Sequence, residues 1–372
     1  MGLRTRWRRR ALGVVGAGSL AMLLTLALAP MGAAADRVAP AEEGPVTLVS
    51  TASDRPLSAA VDYARLMALP SIDSGARPRS SAPLATGADD CPPPRCSDRR
   101  VPVPPGVQIT SNLVRVLLPV GYRAPRNRDR RYPVIFLWNG VRNDHDAWTL
   151  KTEILRDSRA WPAIFVMPAG GKLEQAGMFS DWADGTWDWE TYHTQVLVPW
   201  VDEHYRTIPG ARASAGASMG GIGALNYAIR HPGLFRAVLS VSGLPDTTLL
   251  AQESVLGTPA ERPDLRRVWG DPVLDRANWD AHNPTLHVDA LRDVSLFVTC
   301  GTGYTGDPNS DAVFTGDFEK SLWETHRGFL AQLTAHDVPY RARIAVGGAH
   351  NWPYFDPMMR WAIPQIIDLL AG

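Results

Sequence analysis

The chain has 372 residues, with 38 Lys plus Arg against 38 Asp plus Glu, so its formal net charge is zero. That balance argues against a nucleic-acid binder, which carries a basic excess. A hydrophobic content of 45% with only 20% charged residues excludes a disordered chain, and three cysteines are too few for a disulfide scaffold.

Read from the start, Arg4, Arg6, Arg8, Arg9 and Arg10 precede any acid, an apolar run follows from Ala11 to Ala29, and small residues close it at Gly32–Ala35. A basic head, an apolar middle and an A-x-A site are the parts of a secretory signal, so residues 1–35 are expected to be removed near Ala35. The alternative is a retained membrane anchor, which Gly13, Gly16 and Gly18 weaken. An exported protein of the cell exterior or cell envelope follows from the first reading.

Residues 36–100 hold nine prolines and no Trp or Phe. They read as a linker or a loosely docked arm, with one short amphipathic helix over 58–69. At its end, Cys91 and Cys96 could close a small disulfide loop in an oxidising compartment; two unpaired surface thiols are the alternative. Twelve of the thirteen tryptophans fall between Trp138 and Trp361, so the core belongs to residues 101–372.

Within that domain, strands are predicted at 107–118, 133–138, 163–167, 212–217, 237–241, 295–299 and 341–346. Helices are predicted at 191–205, 222–229 and 356–370. Continuous apolar strands alternating with helices point to an α/β fold with a mainly parallel central sheet and helices on both faces.

Gly216-Ala217-Ser218-Met219-Gly220 is G-x-S-x-G between a strand and a helix. The glycines permit a tight turn that lifts the Ser218 hydroxyl above the sheet, beside the N–H groups of a helix start. A serine needs a base, and His350, in the loop between the last strand and the last helix, has the right chain order. The acid is expected in the loop after Cys300, at Asp307, with Asp311 as the alternative. For the oxyanion, the candidates are the backbone N–H of Met219 and that of Val141, in the loop after the strand 133–138. The histidines show no metal-ligand spacing, so no metal and no cofactor are expected.

These residues resemble a known family. The G-A-S-M-G-G elbow, L-W-N-G at Leu137–Gly140 and H-N-W at His350–Trp352 are similar to the esterase D superfamily of α/β-hydrolases. Phe179-Ser-Asp-Trp182, Trp189-Glu-Thr191, Trp269-Gly270 with Asn283-Pro284, and Cys300-Gly-Thr-Gly303 resemble its antigen 85 mycolyltransferase branch. The resemblance implies an α/β-hydrolase fold and the triad Ser218, Asp307 and His350. It implies Arg142 and Trp352 at a sugar site, with Asn139 where that branch carries a sugar-binding Asp. Cys300 matches a cysteine that is not a nucleophile. The function expected is transfer of a fatty or mycolyl-like acyl group, by way of an ester on Ser218, from an acyl ester or glycolipid to a sugar or glycolipid hydroxyl. Hydrolysis of the same intermediate by water is the alternative, and a non-catalytic wall-binding protein on this scaffold is a third. A monomer is expected.

Overall fold

Nine strands form one sheet among the residues described in this computed structural model, which are 47–50, 91–250, 262–303 and 312–372. All of these fall in the unit Pro45–Gly372. The strands are β1 (Thr47–Ser50), β2 (Cys96–Arg100), β3 (Leu113–Leu117), β4 (Tyr132–Trp138), β5 (Ile164–Pro168), β6 (Thr207–Ala217), β7 (Ala237–Val241), β8 (Ser295–Gly301) and β9 (Tyr340–Ala345). Their spatial order is β1-β9-β8-β7-β6-β4-β5-β3-β2. The six strands from β5 to β9 through β4, β6, β7 and β8 run parallel, whereas β3, β2 and β1 are antiparallel additions at the two sides.

The central parallel strands β4, β5 and β7 are buried along their whole length, as continuous apolar runs require when both faces are covered. In β4 the side chains alternate between faces. Val134, Phe136 and Trp138 join one buried cluster; Ile135 and Leu137 join the other. Helix α1 (Met219–Arg230) and helix α2 (Ala312–Ala335) pack into the first cluster through Ile222, Leu225, Leu322, Phe329 and Leu333. Helix α3 (Trp352–Ala371) packs into the second through Phe355, Met359, Ile363 and Ile366. The arrangement is the α/β-hydrolase fold.

The sheet begins earlier in the chain than residue 101. β1 and β2 both come from the stretch expected to be linker, and β2 pairs with β3 over Cys96–Leu117 to Arg100–Leu113. β2 is polar on its exposed side, which is why it lacks the apolar signature of a core strand. Cys91 and Cys96 are joined by a disulfide at its start. Arg95 between them donates to Leu118 O at 3.0 Å and to Ser158 Oγ at 2.8 Å, fixing this corner to the body of the protein. The signal-like residues 1–35 and the helix expected over 58–69 lie outside the described residues. Among the described residues, no helix is long and apolar enough to cross a membrane.

Helix α2 is not among the helices predicted with bounds, although the stretch around His326 reads as helix-like. Its buried positions Glu319, Leu322, His326, Phe329 and Leu333 recur at three- and four-residue steps, so the stripe facing the sheet is regular, but two of its members are ionisable. A purely apolar criterion passes over such a stripe.

Candidate active site

The parallel strands deliver the site from their carboxyl ends, where ligands bind in open α/β sheets. β6 ends at Ala217 and α1 starts at Met219, so Ser218 alone makes the turn, with φ 58° and ψ −120°. A positive φ is uncommon for a residue with a Cβ, and it is held here by packing on both sides. Main chain approaches so closely that no side chain fits. A Cβ on Gly216 would lie 2.1 Å from Gly220 O, and one on Gly220 would lie 2.2 Å from Trp138 O.

His350 follows β9, carried by two glycines with positive φ, Gly347 and Gly348. Its Nε2 is 2.8 Å from Ser218 Oγ. Its Nδ1 is 2.7 Å from Glu319 Oε2. An ionised carboxylate only accepts, so Nδ1 carries the proton and Nε2 offers its lone pair to the serine hydroxyl. Phe318 and Phe355 stand edge-on against the imidazole, with ring centroids 4.6 and 5.0 Å away, and limit its rotation.

The carboxylate behind the imidazole is therefore Glu319, on α2. Asp307 and Asp311, the sequence candidates, lie outside the described residues. The position expected for the acid, after β8, is approached instead by a side chain from the following helix. Glu319 is 1% exposed. Its Oε1 accepts from Gly301 N–H and Ser242 Oγ, each at 2.6 Å, and from Cys300 Sγ at 3.4 Å. Burial pushes its pKa up, but the bond and charge of His350, with the Ser242 and Gly301 donors, outweigh that and hold it below the ordinary value. Burial, and then the Glu319 charge, push the Cys300 thiol well above its usual range. A thiol so placed is not ionised at neutral pH, which agrees with a structural role. The signal that could have found Glu319 is a carboxylate in phase with Leu322, Phe329 and Leu333 on the buried stripe, because a buried acid without a task is costly.

A cavity of about 240 Å³ opens over these groups. Val141, Met178, Leu244, Phe318, Trp352 and Phe355 give it an apolar wall. Gly140, Val141, Ser218 and Met219 line it together, so the two backbone N–H candidates share the cavity with the nucleophile. Met219 is the first residue of α1, where N–H groups have no intrahelical partner. Arg142 and Trp352 also line the cavity, and Trp352 is braced edge-on by Trp148 at 5.0 Å. Asn139 departs from its expected place. It is fully buried beneath the cavity loop, and its amide is occupied by backbone carbonyls. A sugar hydroxyl does not reach a side chain so enclosed. Among the described residues there is no group of three His, Cys, Asp or Glu placed to hold a metal ion.

Set against known proteins, residues 110–366 match the Esterase family model. An esterase of Mycobacterium tuberculosis is 34% identical over 245 residues, which are 63% of this chain and 52% of that protein. The chain thus spans about half the length of that relative. The diacylglycerol acyltransferase/mycolyltransferase Ag85A of Mycobacterium leprae is 31% identical over 266 residues, 66% of this chain and 78% of the relative. Among solved structures, MPT51 of Mycobacterium tuberculosis superposes with TM-score 0.58 at 20% identity, covering 74% of this chain and 98% of its own. An S-formylglutathione hydrolase of Agrobacterium tumefaciens does so with TM-score 0.56 at 17% identity, covering 74% and 94%. These two show a shared fold.

Proposed function

The chain belongs to the esterase family of α/β-hydrolases, and on that premise we propose that it is an exported serine acyltransferase. It takes an apolar acyl group from an ester onto Ser218 and passes it to a sugar or glycolipid hydroxyl. The observation that carries the chemistry is the relay Ser218 Oγ, His350 Nε2, His350 Nδ1, Glu319 Oε2, with steps of 2.8 and 2.7 Å.

The mechanism follows from those atoms. The ester carbonyl sits in the cavity with its acyl chain against Met178, Leu244, Phe318 and Phe355. Ser218 Oγ attacks the carbonyl carbon while Nε2 takes its proton. The carbonyl oxygen gains the displaced electron pair and is met by the N–H groups of Met219 and Val141. Glu319 stabilises the imidazolium without taking its proton. The imidazolium then protonates the leaving alcohol, and the acyl group remains on Ser218. An acceptor hydroxyl enters, gives its proton to Nε2, and the steps run in reverse. Arg142 and Trp352, at the cavity wall, are the groups suited to an acceptor sugar: guanidinium to hydroxyl, indole to ring face.

Ester hydrolysis, with water as acceptor, is the second reading. The observation that favours it is the burial of Asn139, which removes one polar group from the acceptor side. Export is supported by the basic and apolar head of the sequence and by the Cys91–Cys96 disulfide, a bond of oxidising compartments.

The test of the chemistry is Ser218→Ala, which abolishes turnover of a p-nitrophenyl ester if the reading is right; undiminished turnover in the folded variant sinks it. The test of the acceptor is incubation with a labelled acyl glycolipid and excess trehalose. Acylated sugar on thin-layer separation supports transfer, and free acid alone supports hydrolysis.

A further inference from the structure

We infer that Asn139 is the residue that aims one of the two oxyanion donors, acting through the peptide plane between Gly140 and Val141; this rests on the serine acyl-transfer reading above. Asn139 is the first residue after β4 and has no solvent exposure. Its Nδ2 donates to Asn143 O at 2.7 Å, to Gly140 O at 3.0 Å and to Gly171 O at 3.4 Å. Three carbonyl oxygens converge on one amide nitrogen, which fixes which end of the amide faces them. The other end, Oδ1, is buried with no partner among the described residues. A side chain that leaves one polar atom unsatisfied is retained where its other bonds have a use.

That use follows from peptide geometry. Gly140 C=O and Val141 N–H belong to one planar trans unit and point in opposite directions. Gly140 O is gripped from the protein side twice, by Asn139 Nδ2 and by Asn143 N–H at 3.0 Å. With the carbonyl turned inward, Val141 N–H is turned outward, toward the cavity that Val141 and Ser218 both line. The next carbonyl, Val141 O, is held by Leu173 N–H at 2.7 Å, so the peptide unit that follows is fixed as well. The loop also lies directly on the nucleophile. A Cβ at Gly140 would sit 3.6 Å from Ser218 Cβ. Asn139 touches no reacting atom, so it is a positioning residue. Its effect is bounded by that of the donor it aims, about 10²- to 10³-fold in kcat for one oxyanion donor.

The experiment uses the whole chain carrying Asn139→Leu, which keeps the number and branching of the side-chain heavy atoms but has no donor, and Asn139→Ala. Each is assayed with a p-nitrophenyl ester and titrated with an aryl trifluoromethyl ketone. Ser218 Oγ adds to the ketone carbon, its proton passes to His350, and the carbonyl electron pair moves onto oxygen. The adduct therefore carries the oxyanion without a leaving group. Expected are a loss of about 10²-fold in kcat, a KM within about twofold of the parent, and a matching loss of ketone affinity. A general weakening of the structure would not couple ketone affinity to kcat in this way. A kcat within threefold of the parent, or a ketone affinity that stays unchanged while kcat falls, overturns the inference. Should both variants fail to fold, the parent protein decides. The Val141 amide resonance shifts on ketone binding if the plane is aimed as described, and an unmoved resonance overturns it. A Ser218→Ala variant that keeps its turnover defeats the acyl-transfer reading instead, so the two failures are distinct.

Discussion

Glu319→Gln tests the acid more sharply than any truncation, because it exchanges one oxygen for an NH₂ in the same volume. The glutamine carbonyl can still accept from Gly301 N–H and Ser242 Oγ, the 2.6 Å bonds that fix this side chain. Its NH₂ then faces His350 Nδ1, where the parent has an acceptor at 2.7 Å. A donor there draws out the Nδ1 lone pair and moves the imidazole proton to Nε2. Nε2 sits 2.8 Å from Ser218 Oγ, and in that tautomer it cannot take the serine proton. Loss of the correct tautomer costs about 10⁴-fold in kcat in a serine triad, or about 5.4 kcal/mol at 1.36 kcal/mol per decade. Glu319 does not line the cavity, so KM for a p-nitrophenyl ester should stay within about twofold. The assay is steady-state hydrolysis by parent, Glu319→Gln and Asp307→Asn, with circular dichroism to establish folding. A loss under tenfold for Glu319→Gln, or a larger loss for Asp307→Asn, refutes the assignment.

His193 and His282 are buried neutral. Burial lowers each pKa to about 4; the Arg230 charge adds to this at His282. A folded value below the unfolded one of about 6.5 means that the unfolded chain binds protons first, so stability falls as pH drops from about 6.5 and levels off near 4. Each full shift is worth about 3 kcal/mol. Urea midpoints should decline between pH 6.5 and 4.5, and His193→Gln should flatten that decline; a midpoint constant over the range contradicts the burial argument. Reducing the Cys91–Cys96 loop, or replacing both cysteines by serine, should cost about 2 kcal/mol through the loosened unfolded chain. Differential scanning calorimetry would show it as a drop of several degrees, and an unchanged midpoint would mean that this corner is held by Arg95 alone. Trp352→Ala should raise KM for sugar acceptors more than for the p-nitrophenyl ester. Equal changes in both would place Trp352 on the acyl side instead.

The centre of the sheet was readable from the sequence because fully buried parallel strands are nearly continuous apolar runs, and the predicted segments at 133–138, 163–167 and 237–241 coincide with β4, β5 and β7 to within a residue. Ser218 was readable because the strained turn demands glycines at fixed offsets. His350 was readable because chain order restricts the base to a late loop. Glu319 was not, and the reason is physical. A triad acid is defined by what it touches, and chain order points to the loop after β8, while the helix beyond that loop supplies the carboxylate. The buried stripe of α2 mixes Glu319 and His326 with leucine and phenylalanine, so hydrophobic periodicity conceals the helix that carries the residue. Asn139 shows the converse: resemblance assigned it to ligand, and the three carbonyls around its amide claim it for the backbone.

The elbow has one further consequence, for how this protein can change over time. At Gly216 and Gly220 the obstructing atoms belong to main chain, at 2.1 and 2.2 Å, and no neighbouring side chain can be trimmed to make room. An alanine at either position leaves nothing for a second mutation to repair. A suppressor screen begun from such a variant should return only codons restored to glycine, so the nucleophile turn is a ratchet, easily lost and recovered by one route alone.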